Sequence, residues 1–383
     1  MTALSAFTFE IDEPENAVQE LIEQIGLHNL KSHSLGIINC SPAFVETGVV
    51  KAISAALPFE VTGCTTAGTA SSGELGELML SLLVLTSDNV DFSTGVTEPL
   101  TGELDSPIEA AWRKATAGKP EKPAMILAFG PFLKSVGGEA IVESINRISG
   151  RLPVFGTLAI DSTSDATDVA TFLNGEAYPD ALTFALLYGD IHPSFYMASI
   201  PDDKIQKQKG IITKSKDNIL MEVNDTLLLT YVKGLGLKQE DDLWDRASFP
   251  FIIDYNDGTK PVARSIYNIT TDGYAACGGF MPENSTIALG SLDFSDVLRT
   301  TSETVNTIME EKEGSCLIMF ACLYRFMMLG ANTTAEMEKI QEEISGKRVY
   351  QFCYSGGEIC PVYTEAGTTV NRFHNCTFIV CRL

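Results

Sequence analysis

The sequence predicts an α/β (α+β) protein of two lobes, and three observations carry that expectation. Its 383 residues exceed the roughly 250–300 over which one hydrophobic core keeps growing. The first 200 residues hold two copies of a strand–helix–strand–hairpin pattern, their offset drifting as surface insertions would make it. A lysine-rich polar stretch, 202–216, then separates this repeat from a region that does not repeat it. The expected division is an N-terminal lobe, 1–200, of two related halves with mixed sheets, and a C-terminal α+β lobe, 201–383, with a largely antiparallel sheet.

The elements are read in order. Asp12, Pro14 and Glu15 start a helix whose apolar face is Val18, Leu21, Ile22 and Ile25. LGIINC (35–40) is a strand, followed by a helix with Val49, Val50, Ile53 and Leu57. VTGCTTAG (61–68) is a short strand entering a small-residue loop, and LMLSLLVLTSDNVDFSTGV (78–96) reads as a hairpin turning at Asp88-Asn89. Ser106-Pro107-Ile108-Glu109 is a capping box with proline at the first helical position, closed by Gly118, and the second copy starts after it. AMILAF (124–129), a helix with Ile141, Ile145 and Ile148, and VFGTLAID (154–161) follow. The hairpin of this copy is ALTFALLYGDIHPSFYMAS (181–199), turning at Gly189-Asp190.

Beyond the lysines, a hairpin ends at ILMEVND, a helix carries Leu227–Leu229 and Val232 to Gly234, and the strand FPFIIDY leads into a meander from Pro261 to Leu292. A helix is expected from Ser295 to about Glu313. Thr333 with Glu336 repeats the capping device for a helix with Met337, Ile340 and Ile344 that stops at Gly346. SCLIMFACLYRF lies between these two helices, and RVYQFCYS and TFIVCRL are the terminal strands.

The balance of 27 basic and 50 acidic residues, a formal charge of -23, repels nucleic-acid phosphates and anionic membranes and mildly attracts cations. The N-terminus has no basic n-region or apolar h-region, and the apolar runs Leu78–Leu85 and Ala181–Tyr188 are far shorter than the ~20 residues of a membrane span. The expectation is a cytoplasmic protein. Nine cysteines and four scattered histidines show neither disulfide nor zinc spacing. No cofactor is expected.

The loop Gly63–Gly68 and its counterpart Phe155–Asp161 lack GxGxxG and GxxxxGK[ST], so they give no nucleotide signature; they serve either close backbone packing or an anion. More chemistry lies near the end of the chain. Cys322 stands three residues before Arg325, Glu358 follows Gly356-Gly357, and His374-Asn375 precede the last strand. A guanidinium clamps a carboxylate and a carboxylate holds an ammonium, so Arg325 and Glu358 together would suit a zwitterion such as an amino acid. The plainer alternative makes Arg325 and Glu358 a buried ion pair, His374-Asn375 a turn and Cys322 inert core.

On these segments the chain resembles the FIST sensory proteins almost end to end. The match rests on GCTTAGT, VFGTLAID and FLNGEAYPDALTFALL in the first part. In the second it rests on EVNDTLLLTYVKGLG, VARSIYNITTDGYAACGGFMPENSTIAL, ACLYR, SGGEICP and HNCT. The resemblance implies a FIST N-terminal domain over 1–200 and a ligand-binding FIST C-terminal domain over 201–383. It also implies a non-catalytic prokaryotic signalling input for a small ligand, with amino acids proposed. Carried over, the site is Cys322, Arg325, Glu358, His374, Asn375 and Gly357, with Arg264 added. Two departures stand out: GTASSGE where glycine–glutamate usually follows threonine–alanine, and Gly156-Thr157 where a double glycine is common. No output domain follows the last core strand, so the expected partner is a separately encoded protein such as a histidine kinase or a cyclic-dinucleotide enzyme. The alternatives are a hydrolase or transferase using Cys322 with His374 as base and an oxyanion site near Gly357, a haem-binding sensor, and an adaptor without a ligand.

Overall fold

The computed structural model describes residues 1–383 except 134–135, 164–165, 237–248, 312–313, 315, 345 and 365–366. The chain runs through one pattern three times. The first unit is β1 (Thr2–Thr8), α1 (Pro14–Ile25), β2 (His33–Cys40), α2 (Ala43–Glu46), α3 (Val49–Ala56), β3 (Glu60–Thr65), the hairpin β4 (Thr69–Ser71) and β5 (Leu75–Gly76), and β6 (Leu80–Ser87). The second is β7 (Asp91–Val96), α4 (Asp105–Thr116), β8 (Met125–Gly130), α5 (Gly138–Ser149), β9 (Val154–Leu158), the hairpin β10 (Thr171–Leu173) and β11 (Glu176–Tyr178), and β12 (Thr183–Tyr188).

The third unit opens with β13 (Ser194–Ala198) and is then interrupted by a small β structure. This insertion comprises β14 (Ile205–Lys216), β15 (Ile219–Val223), β16 (Thr226–Leu227), α6 (Leu228–Gly234), β17 (Phe251–Asp254), β18 (Val262–Arg264), β19 (Ile266–Ile269), β20 (Ala275–Cys277) and β21 (Thr286–Gly290). The unit resumes with α7 (Phe294–Glu310), β22 (Cys316–Cys322), α8 (Leu323–Met328), α9 (Ala335–Ile344) and β23 (Val349–Ser355). The hairpin β24 (Glu358–Tyr363) and β25 (Thr369–His374) and the strand β26 (Phe378–Arg382) complete it.

Three six-stranded sheets result, ordered β1-β6-β2-β3-β10-β11, β7-β12-β8-β9-β24-β25 and β13-β26-β22-β23-β4-β5. Each centres on one parallel pair, β2 with β3, β8 with β9 and β22 with β23, joined by a helical crossover. The hairpin after each parallel pair leaves its own sheet and completes another. The first unit's goes to the third sheet, the second's to the first, and the third's to the second. The exchange closes a ring.

One core lies among the three sheets, with Cys64, Leu83, Leu127, Phe129, Phe320 and Ile379 drawn from all of them, and Phe155 stacked between Phe195 and Phe320. Helices α1 and α3 pack on the first sheet, α4 and α5 on the second, α7 and α9 on the third. The insertion forms a nearly closed antiparallel sheet around its own apolar interior.

The mixed α+β class and the two related halves are as expected, and a third copy accompanies them. The segments 78–96 and 181–199 do not form the expected hairpins, because the two strands of each go to different sheets: β6 joins the first sheet and β7 the second, β12 the second and β13 the third. The burial of all eight residues of β6 explains this, because such a strand needs a neighbour on both edges and layers on both faces. The hairpin of each copy is the shorter pair that is exchanged.

Some caps differ from expectation. Helix α4 starts before Ser106, and the carboxylate of Glu103 accepts from the N–H groups of Asp105 and Ser106. Helix α7 starts at Phe294 through an Asp293/Asp296 capping box; its expected end at Glu313 lies outside the described residues. The two small-residue loops serve backbone approach: a Cβ on Gly63 or Gly156 would collide with the carbonyl of Ile38 or Ala128. Their amides are occupied too, Thr66 N–H by Cys40 O, Ala159 N–H by Gly130 O and Ile160 N–H by Thr65 O. Among the described residues no helix is long and apolar enough to cross a membrane.

Candidate ligand site at the Glu358 corner

The corner where β22, β23 and the exchanged hairpin end, against β18 and β19 of the insertion, gathers most of the expected residues. Strand β22 stops at Cys322, whose N–H donates to Thr377 O at 2.9 Å. Strand β23 stops at Ser355, and the Gly356-Gly357 turn delivers Glu358 opposite Thr157 of β9 and His374 of β25. Gly357 has φ +146°, and a Cβ there would collide with the ring of Phe373, so only glycine makes this turn without displacing that ring. The half-buried ring of Phe132 packs on Gly356.

Glu358 is fully buried. One carboxyl oxygen accepts from the Ser355 hydroxyl at 2.5 Å and the other from the Thr377 hydroxyl at 2.6 Å. Among the described residues no basic nitrogen lies within 4.0 Å of it. Burial pushes its acid up to about 8, against the opposing pull of those hydroxyls, of the Thr377 N–H and of the more distant Arg325. Glu358 is therefore largely a neutral acid at pH 7. Around it stand Cys322, Cys376, Cys353, Cys360 and Tyr267, which burial raises first and nearness to Glu358 raises further. The rings of Tyr267, half-buried, and Tyr324 stack at 6.3 Å.

The expected pairing of Arg325 with Glu358 is not what the fold builds. Arg325 lies in α8 facing α7 and α9, fully buried. It donates to Glu336 from Nε at 2.9 Å and Nη2 at 2.7 Å, and also to Val297 O and the hydroxyls of Thr300 and Thr301. Glu336, expected to cap with Thr333, is its buried counter-ion, while Thr333 donates to Glu77. Arg264 is likewise consumed. It pairs with Glu139 of α5 at 2.5 Å and donates to Tyr255 Oη and Phe373 O, tying the insertion to the second unit.

His374 is buried, bonds the Cys360 carbonyl through Nε2 at 3.1 Å, and is held neutral by burial, which lowers it to about 3. No hydrogen bond joins it to Cys322, whose thiol burial pushes well above its ordinary value, so the thiol–imidazole pair is not assembled. Asn375 Oδ1 accepts from Ser265 N–H at 3.4 Å and packs on Gly278. Among the described residues no three histidine, cysteine or acidic groups meet as a metal site. For haem, the single buried histidine is His374, already bonded, and the other three are exposed.

Sequence reasoning missed Glu336, Glu139, Tyr255, Ser355, Thr377 and Tyr267. Ser355 and Thr377, within the motifs around Glu358 and His374, and Tyr267, within the VARSIYNITT segment, carried a local signal.

The FIST N domain family model matches residues 34–226 and the FIST C domain model residues 226–361. No curated protein matches the chain. Among solved structures, a cyanuric acid hydrolase from A. caulinodans is similar over 99% of this chain and 98% of its own, at 10% identity and a TM-score of 0.39. A likeness that low carries no argument about function.

Proposed function

The chain belongs to the FIST family, whose domains are sensory rather than catalytic parts of signalling proteins, and on that premise we propose that a small amino compound binds at the Glu358 corner. Amino acids fall within that class. Cys322, Gly357, His374 and Asn375 line the corner, and Arg325 and Arg264 frame it from their ion pairs. Occupancy is passed to a separately encoded signalling protein, a histidine kinase or cyclic-dinucleotide enzyme being the natural kind.

One observation carries the reading. Two arginines near this corner each have a buried carboxylate partner, whereas Glu358 is buried with hydroxyls alone. A carboxyl placed out of water without a cation is costly to ionise, and an ammonium guest would complete it. Thermal-shift screening against amino acids and small amines tests this. A ligand at 100 times its Kd adds about 2.7 kcal/mol of stability, and Glu358→Gln abolishes that shift. A shift that persists in the variant moves the site elsewhere.

A further inference from the structure

Resting on the proposal that Glu358 marks the binding corner, we infer that its guest is a small organic cation, an ammonium or guanidinium compound without a carboxylate, in preference to a zwitterionic amino acid. An amino-acid carboxylate needs a cation or several free N–H donors, and the two fully buried arginines beside this corner are already committed. Arg325 is spent on Glu336, Val297 O, Thr300 and Thr301. Arg264 is spent on Glu139, Tyr255 and Phe373 O, and Arg372 lies over the Tyr255 ring and pairs with Asp257, its buried Nε being without a hydrogen-bond partner among the described residues. His374 bonds the Cys360 carbonyl, Cys322 N–H bonds Thr377 O and Gly356 N–H bonds Leu158 O.

What the corner does offer suits a cation. The two oxygens of Glu358 lie between hydroxyls, and the stacked rings of Tyr267 and Tyr324 supply π faces to a positive charge. The net charge of -23 raises the local concentration of cations. The corner is closed in this structure, with Phe132 over Gly356 and Tyr267 half-buried beside it, so entry displaces these two rings.

Arrival of a protonated amine converts the neutral Glu358 acid to carboxylate and expels one proton to solvent; no covalent bond changes. The titratable and charged groups around it are Cys322 from β22, Cys353 from β23, Cys360 from β24, His374 opposite it on β25, Cys376 from the turn before β26, Tyr267 from β19 and, farther off, Arg325 from α8. Occupancy is thereby linked to pH.

The test is calorimetric titration of the full chain at about 0.15 M salt, which screens surface charge, with two pairs of compounds that differ by one carboxylate: putrescine against ornithine, and agmatine against arginine. The amine of each pair is expected to bind at least tenfold tighter, to release a proton near pH 7 and to lose its binding in Glu358→Gln. Tyr267→Leu, which alters a half-buried ring, is expected to weaken the amine several-fold in a folded protein and keeps the test open should Glu358→Gln not fold. If the amino acid of each pair binds as tightly or tighter, and that binding is also lost in Glu358→Gln, the inference fails while the site stands. If neither compound binds, or binding ignores both substitutions, the site falls as well.

Discussion

The chain buries charge in two ways. In the knots Arg325–Glu336 and Arg264–Glu139, guanidinium and carboxylate leave water together and further acceptors saturate the guanidinium. At the Glu358 corner a carboxyl leaves water with two hydroxyls and no cation. The first arrangement pairs each cation with an anion, although Glu336 Oε2 has no hydrogen-bond partner among the described residues, and holds elements in place: α8 to α7 and α9, and the insertion to α5. The second favours the neutral acid up to about pH 8, and so responds to protons and to any cation that reaches it. A buried charge with its partner is architecture, and one without is a receptor in waiting.

The contrast is sharpest where a knot is broken. Glu336→Gln leaves the Arg325 charge uncompensated in a fully buried place, and a loss of about 3–5 kcal/mol is expected in denaturant titration. Replacing both members by apolar residues of similar volume should cost far less. A single variant as stable as wild type would deny that the knot is charged. Glu139→Gln is expected to cost about 3 kcal/mol, near the lower end, because Glu139 keeps some exposure. Protease cleavage within 205–290 should rise in that variant, since Arg264 anchors the insertion.

Glu358→Gln probes the other side of the comparison. Its folded acid lies at about 8, above the unfolded value near 4.3, so the folded protein holds the proton more tightly. The associated stability is fully present below about pH 4 and is lost as pH rises through 8. The variant lacks this loss, so its stability relative to wild type should climb by at most about 1.4 kcal/mol per pH unit between pH 5 and 8. His374, lowered to about 3, acts in the opposite sense below pH 6.5, but it is present in both proteins and cancels in the difference. A pH-independent difference would contradict the neutral-acid state. The smallest effect concerns Cys322: with its thiol raised by burial, it should react with a thiol reagent no faster than the other eight cysteines.

The sequence made the α+β class, the periodic helices and the two-copy repeat visible, because caps and apolar spacing are local signals. Its third copy was hidden by the insertion of 205–290 between β13 and β22, which pulls matching strands too far apart for a repeat to show. The corner around Glu358 was legible as motifs, but its charge partners were not. Glu336 sits on a helix where its spacing from Thr333 imitates a cap, and only the packing of α8 against α9 reveals that it turns inward to Arg325. Glu139 lies in a different unit from Arg264, and nothing near either residue announces the other. Local patterns announce elements, whereas electrostatic partners across elements are decided by topology.

The exchanged hairpins also set a timetable for biosynthesis. The second sheet draws its outer strands from Glu358–Tyr363 and Thr369–His374, so residues 91–188 cannot finish their own sheet as they leave the ribosome. They wait, with the edge of β9 unpaired, until nearly the whole chain has emerged, and long-range pairings of this kind fold slowly and leave strand edges open to aggregation. The same hairpin carries Glu358, so the binding corner is completed by the late step that closes the ring.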